Sequence, residues 1–149
     1  MIEICHHHNC LEELRADHEK ILAELERLEA DPQGYAKEFL EFTENFAEPH
    51  HRKEEEVLFP ELEKKGIAKE GGPIGVMLLE HEIKRDHVRK LQRAIDENNE
   101  SQIRENGLAI IALLRDHINK ENNILYPMAE NVLNKEDLAN LSDKCQQLK

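Results

Sequence analysis

Apolar residues recur along the chain at the three- and four-residue spacing of a single helix face. Leu11, Leu14, Ile21, Leu25 and Leu28 make the first stripe, and His18 falls in the gap between Leu14 and Ile21. Asn9 with Glu12 three residues on reads as a capping box, so a helix is predicted to start there. Asp31-Pro32-Gln33-Gly34 is predicted to break it. A second helix is expected from about Tyr35 to Lys65, with Phe39, Phe42, Phe46, His50, Glu54 and Leu58 on its stripe. Pro49 lies inside it, removes a backbone donor and predicts a kink just ahead of His50; Pro60 does the same near its end.

Gly66 and Gly71-Gly72 bracket a loop, after which Pro73 suits the first position of a third helix over about 73–97. Its stripe holds Ile74, Met77, His81, Val88, Leu91 and Ile95. Asn98-Asn99 ends it, and Asn99 with Gln102 caps a fourth helix over about 100–133, striped with Leu108, Ile111, Leu114, His117, Glu121, Ile124 and Met128. A weaker stripe of Leu138, Leu141, Cys145 and Leu148 predicts a short fifth helix over 135–148, lying on the others. The pattern therefore predicts one all-α domain over residues 1–149. It is an up-down antiparallel four-helix bundle (core about 9–133), with a short Cys/His segment over 1–8 and a C-terminal helical tail.

Composition narrows the partners. With 39% apolar and 35% charged residues and no Trp, the 149-residue chain favours long charged helices. A net charge of −12 argues against nucleic acid and anionic membranes, which need a basic face. No run approaches the roughly 20 apolar residues of a membrane span, and the N-terminus lacks the apolar core of a signal peptide. A soluble, cytoplasmic protein is expected. Three cysteines in that setting point to reduced thiols.

The polar residues on the stripes repeat. Residues 50–60, HHRKEEEVLFP, and 117–127, HINKENNILYP, share His-x3-Glu-x3-Leu-[Phe/Tyr]-Pro, and each is preceded by a shorter echo, Asp17-His18-Glu19 and Glu80-His81-Glu82. The chain is thus two copies of one unit, which suggests a site shared by both halves. At about 1.5 Å per residue, His18 and His50 lie roughly 18 and 22 Å from the first turn, and His81 and His117 roughly 24 and 26 Å from the third. The four rings can therefore form one layer with Glu54 and Glu121.

A lone histidine on such a stripe is ordinarily a core residue satisfied by a neighbour. A buried carboxylate without a partner costs several kcal/mol, and six such residues in repeated positions are not independent accidents. Imidazole with carboxylate suits iron, zinc or manganese, and the stripes lack the cysteines of a thiolate zinc site. Six ligands exceed one tetrahedral zinc and suit two metals bridged by Glu54 and Glu121. The usual di-iron carboxylate bundle carries more glutamates than this nitrogen-rich set.

Several residues stay open. His51 and Glu55 share the four-residue spacing, although alignment with His117 and Glu121 favours His50 and Glu54, leaving Glu55 and Glu56 as a solvated face or as acceptors for ligand N–H groups. His6-His7-His8 between Cys5 and Cys10 lies about 15 Å from His18, and reads as adventitious metal binding or as a redox or delivery site. His87 is read as surface. Tyr126 packs near the site or hydrogen-bonds a ligand, while its counterpart Phe59 argues against a tyrosyl role.

The segments DHEKI (17–21), HHRKEEEVLFP (50–60), GPIGVMLLEHEIKR (72–85) and HINKENNILYP (117–127) resemble the hemerythrin-like family, the HHE cation-binding domains. The resemblance spans residues 17–127. It implies an up-down bundle holding two iron ions in a non-haem, oxo- or hydroxo-bridged di-iron centre, with zinc or manganese as substitutes. It also implies that dioxygen, nitric oxide or peroxide binds at an open iron position. The family's ligands fall on His18, His50, Glu54, His81, His117 and Glu121.

Two departures separate the chain from the oxygen carriers. Arg85 stands where they have a second third-helix histidine, and Glu121 lies four residues after His117 where they have Asp at five. His51, about 100° round the helix from His50, is one replacement if Pro49 alters the winding; solvent is the other. Members with Arg at this place look like sensors, iron-handling proteins and repair proteins. The expected function is binding or sensing of a small molecule, with a peroxide-reducing or iron-centre repair enzyme, or a metal-pinned bundle, as alternatives. The amphipathic tail is a candidate homodimer surface.

Overall fold

The computed structural model describes residues 9–148 and contains helices and connecting turns, with no strand among the described residues. Cys5 and His6-His7-His8 lie outside them. Helix α1 spans Cys10–Ala30, and its Asn9–Glu12 capping box is present with both bonds made. Helix α2 runs over 32–64, α3 over Pro73–Asp96, α4 over 100–132 and α5 over Lys135–Gln147. The first four form the up-down bundle: α3 packs on α4, α1 on α2, and α4 also meets α1 and α2. No described helix is long and apolar enough to cross a membrane.

The first break is a single-residue joint. Helix α2 begins at Pro32 rather than Tyr35, because Asp31 both ends α1 and caps α2, its side chain accepting from the Gly34 N–H at 3.1 Å. Proline is preorganised for a first helical position, so Pro32 opens a helix here. Gly72 and Pro73 start α3 as predicted.

The internal prolines act differently from a simple kink. Each follows a wide π turn: Thr43–Ala47 before Pro49, Glu54–Leu58 before Pro60, and Glu121–Leu125 before Pro127. In each case the residue just ahead of the proline bonds five residues back: Glu48 to the Thr43 carbonyl, Phe59 to Glu54, and Tyr126 to Glu121. A proline offers no N–H and its ring crowds the preceding turn, and a turn widened by one residue relieves both problems.

The added residue also rotates the stripe. Counting it, His51 lies about eleven helical steps after Phe39, within about 20° of the same line, so His50 and His51 straddle the inward direction. Thr43 and Ala47 are buried, while Phe42 and Phe46 are only half-buried and pack on each other.

Two expected stripe residues of α4 face solvent, Leu108 at 38% and Ile124 at 54% exposure. Ile124 sits in a π turn that shifts the buried face to Leu125, and farther up the helix Ile110, Ile111 and Ile118 carry the core contact. On α3, Val88 and Ile95 are half-buried, whereas Lys84 is only 1% exposed, its ammonium hydrogen-bonded to the Thr43 hydroxyl. Burial lowers that amine to about 8.

The hydrophobic core is divided. One cluster joins Leu11, Leu14, Leu58, Phe59, Ile74 and Leu125; the other joins Ile21, Leu25, Phe39, Leu91, Ile110 and Ile118. The histidine layer lies between His18's neighbours Leu14 and Ile21 on α1, one from each cluster. The tail forms as expected, and its Leu141 and Cys145 are buried in the first cluster, where Cys145 Sγ meets Cys10 Sγ at 3.8 Å as free thiols. Leu141 and Cys145 of the tail stripe are therefore covered by the chain itself, while Leu138 and Leu148 are half-buried.

Candidate metal centre

His18, His50, His51, Glu54, His81, His117 and Glu121 are all at most 2% exposed and meet in the middle of the bundle. They fall into two groups whose ligand atoms lie within 4.8 Å of one another. His51, Glu54, His81 and His117 form one, and His18, His50, Glu54 and Glu121 the other. Glu54 belongs to both, and Glu121 reaches across to His117. Glu54 Oε1 is 3.3 Å from His81 Nε2, while its Oε2 is 3.7 Å from His50 Nε2. Glu121 Oε1 is 2.9 Å from His18 Nε2, and its Oε2 is 3.3 Å from His117 Nε2.

The outer nitrogens are held by a repeated arrangement. Asp17 accepts from His50 Nδ1 at 3.0 Å, and its counterpart Glu80 accepts from His117 Nδ1 at 2.9 Å. Glu55, next to Glu54, accepts from His81 Nδ1 at 2.6 Å; Asn122, next to Glu121, accepts from His18 Nδ1 at 2.8 Å. These acceptors fix four rings with Nε2 turned inward, the orientation that ligating histidines adopt.

The inward atoms are left bare. His50 Nε2, both nitrogens of His51, the Nε2 atoms of His81 and His117, Glu54 Oε1 and Glu121 Oε2 are buried without a hydrogen-bond partner. Burying one such group unsatisfied costs about 1–3 kcal/mol, and more when it is charged. Bare nitrogen and oxygen donors facing one small volume fit a bound cation, which would satisfy them together.

Without metal the layer redistributes protons. Burial beside Glu121 pushes the Glu54 carboxyl up. Burial works the same way on Glu121, but the charge of His117 and the hydrogen bond from His18 hold it well below its ordinary value. Burial would lower His117, yet the Glu121 charge and the hydrogen bond to Glu80 raise it to about 10. His51, buried beside His81 and Lys84, stays well below the ordinary imidazole value.

A profile of the hemerythrin HHE cation binding domain matches residues 9–129. The chain belongs to that family. Comparisons with curated proteins and with solved structures return no match.

For this hemerythrin-like chain, Arg85 is no gap in the site. It points outward, bonding Glu48 at 2.7 Å, Glu55 at 3.1 Å and Glu82 at 2.5 Å, and so steadies the carboxylate that holds His81. His51, from the neighbouring helix, lies with His81 and His117. Of the acidic run after His50, Glu54 is inside, Glu55 is an acceptor and Glu56 pairs with Arg52 on the surface. His87 is half-buried rather than superficial, bonded to Asn106 at 3.1 Å, and belongs to neither group.

Tyr126 lies against the site, its hydroxyl donating to Glu54 Oε2 at 2.5 Å. Sequence reasoning noticed Asp17 and Glu80 only as an echo and did not give them a partner. The signal was the acidic residue before each lone histidine, repeated in both halves.

Asp17→Ala and Glu80→Ala should each weaken metal binding by about 10–100-fold, because an unheld ring must be ordered when metal binds. Competition against a colorimetric chelator measures this, with helix content by circular dichroism as the folding control. Unchanged affinity in both variants would show that the outer bonds are incidental.

Proposed function

We propose that this protein is a non-haem di-iron protein that binds or senses dioxygen or a related small molecule, nitric oxide or peroxide. The observation that carries the reading is the set of bare, buried imidazole and carboxylate atoms in two groups joined by Glu54 and Glu121. His51, His81 and His117 would hold one metal, His18 and His50 the other, and both carboxylates would bridge. Among the described residues sulfur takes no part, since Cys10 and Cys145 face each other. Donor sets of this size suit iron better than tetrahedral zinc, with manganese a further fit.

When bound, a ferrous pair supplies the electrons and open coordination that such small molecules require. The chain's own residues do the rest. Asp17, Glu55, Glu80 and Asn122 orient the rings, and the apolar clusters on either side of the layer keep bulk water from it. The Tyr126 hydroxyl lies against Glu54 Oε2. Ile118 stands where the duplicate half has His51, so the group with His18 and His50 has fewer nitrogen donors. This asymmetry also favours a second reading, in which that side reduces peroxide or oxygen, or serves repair of iron centres. A reducing, cytoplasmic setting suits ferrous iron and free thiols.

Protein produced in iron-supplemented medium should carry about two irons per chain. The anaerobic ferrous form should change its spectrum stoichiometrically with dioxygen or nitric oxide. Sustained consumption of peroxide with a reductant would instead select the enzymatic reading. Zinc alone with no reactivity would leave a structural metal, and no metal would sink the proposal.

A further inference from the structure

The duplication lets each half of the site be compared with the other, and two inward positions break the match. His51 in the first copy corresponds to Ile118 in the second, and Phe59 in the first corresponds to Tyr126 in the second. His51 joins the group of His81 and His117. Tyr126 lies on the other side, its ring stacked on His18 at 5.3 Å and 6°. Besides its contact with Glu54, its hydroxyl oxygen is 3.4 Å from His18 Nε2 and 3.5 Å from Glu121 Oε1, and the residue is fully buried.

Atoms bonded to one metal at about 2.0–2.2 Å stand about 3 Å from their neighbours in the same coordination sphere. The phenol oxygen therefore has a ligand's spacing from three donor atoms of the His18/His50 group. Phe59, stacked on His81 at 6.2 Å, brings no oxygen to the other group. The two exchanges compensate: one group has a third imidazole, the other a phenol.

The backbone explains how Tyr126 reaches this place. Five residues of α-helix end about 140° past a full turn, which would set Tyr126 well away from the Glu121 face. The π turn Glu121–Leu125 closes one turn over five residues, so Tyr126 returns to the same side as Glu121.

We propose that Tyr126 is a metal ligand of the His18/His50 group, filling as phenolate the place that His51 fills in the other. A small molecule reaching that metal must displace it. The inference deepens the di-iron reading and rests on it.

The chain has two tyrosines, and Tyr35 lies under the Arg27 guanidinium at 4.7 Å, away from the site. Phenolate-to-iron charge-transfer absorption in the ferric protein, with tyrosinate ring modes in resonance Raman spectra, is expected from Tyr126. Tyr126→Phe should lose both signals while keeping its iron, and should bind azide about tenfold or more tightly, a difference of about 1.4 kcal/mol or more. Phe59 already occupies the equivalent helix position, so the substitution is sterically accepted, and Tyr35→Phe should retain the band. Iron-loaded wild type without the band, or a band that survives Tyr126→Phe, overturns the proposal and leaves the di-iron reading standing. Failure of the wild type to take up iron overturns both.

Discussion

Glu54→Ala is expected to leave a folded protein that retains neither metal ion. The two oxygens of Glu54 face different groups, one toward His81 and the other toward His50, so a single truncation removes a donor from each side. Removing an outer hydrogen bond costs about 10–100-fold in affinity, and losing a shared inner donor should exceed that at both positions. Metal content after desalting over a weak chelator should fall from about two ions per chain to near zero. His18→Ala or His81→Ala should weaken its own group first. The fold should survive, because truncation deletes a buried carboxyl group whose Oε1 is unsatisfied without metal. Metal-free Glu54→Ala should therefore melt no lower than metal-free wild type. A variant that keeps one tightly bound ion would show that Glu54 serves one side only.

Metal removal from the unmutated protein should have the largest effect on stability. A ligand that binds only the folded state at about 1,000 times its Kd adds about 4.1 kcal/mol. For a domain of this size that corresponds to a Tm lower by about 8–16 °C after chelation. The gap should depend on pH. In the metal-free protein His117 is raised from 6.5 to about 10, so its contribution to stability is fully present below pH 6.5 and is lost as pH rises through about 10. With metal bound the ring is neutral and the nitrogen occupied, so that loss does not arise. The melting gap should widen between pH 6.5 and 10, and metal uptake should release protons across the same interval. Paired thermal melts at several pH values measure the first effect, and titration calorimetry in buffers of different ionisation enthalpy the second. A gap that narrows as pH rises would contradict the assigned proton on His117.

Much of this architecture could be read from residue spacing because helix periodicity is local. The Asn9–Glu12 box, the Pro73 start and the tail stripe each depend on neighbours a few residues apart, and all appear in the structure. Family membership was likewise legible in the repeated His-x3-Glu-x3-Leu-[Phe/Tyr]-Pro segments. The π turns were not, although a proline inside a helix marked each of them. Removing an N–H predicts a disturbance, but widening by one residue decides which side chains turn inward. That choice accounts for His51 beside His50, for Ile124 facing solvent and for Tyr126 over Glu121. Lys84 was missed for another reason. Its ammonium finds the Thr43 hydroxyl on a different helix, a contact that no spacing within α3 encodes.

The distribution of donors between the two copies has a consequence for the chain as a whole. The group containing His81 and His117 borrows His51 and Glu54 from the first copy, and the group containing His18 and His50 borrows Glu121 from the second. Asp17 orients His50 and Glu80 orients His117 within one copy, whereas Asn122 of the second holds His18 and Glu55 of the first holds His81, so neither copy orients all its rings or completes a group. A nick in the Gly66–Gly72 loop would produce two fragments, each with donors that are only partly prearranged and too few. Their reassociation would be driven by metal as well as by apolar contact, making fragment complementation a reporter of ion capture.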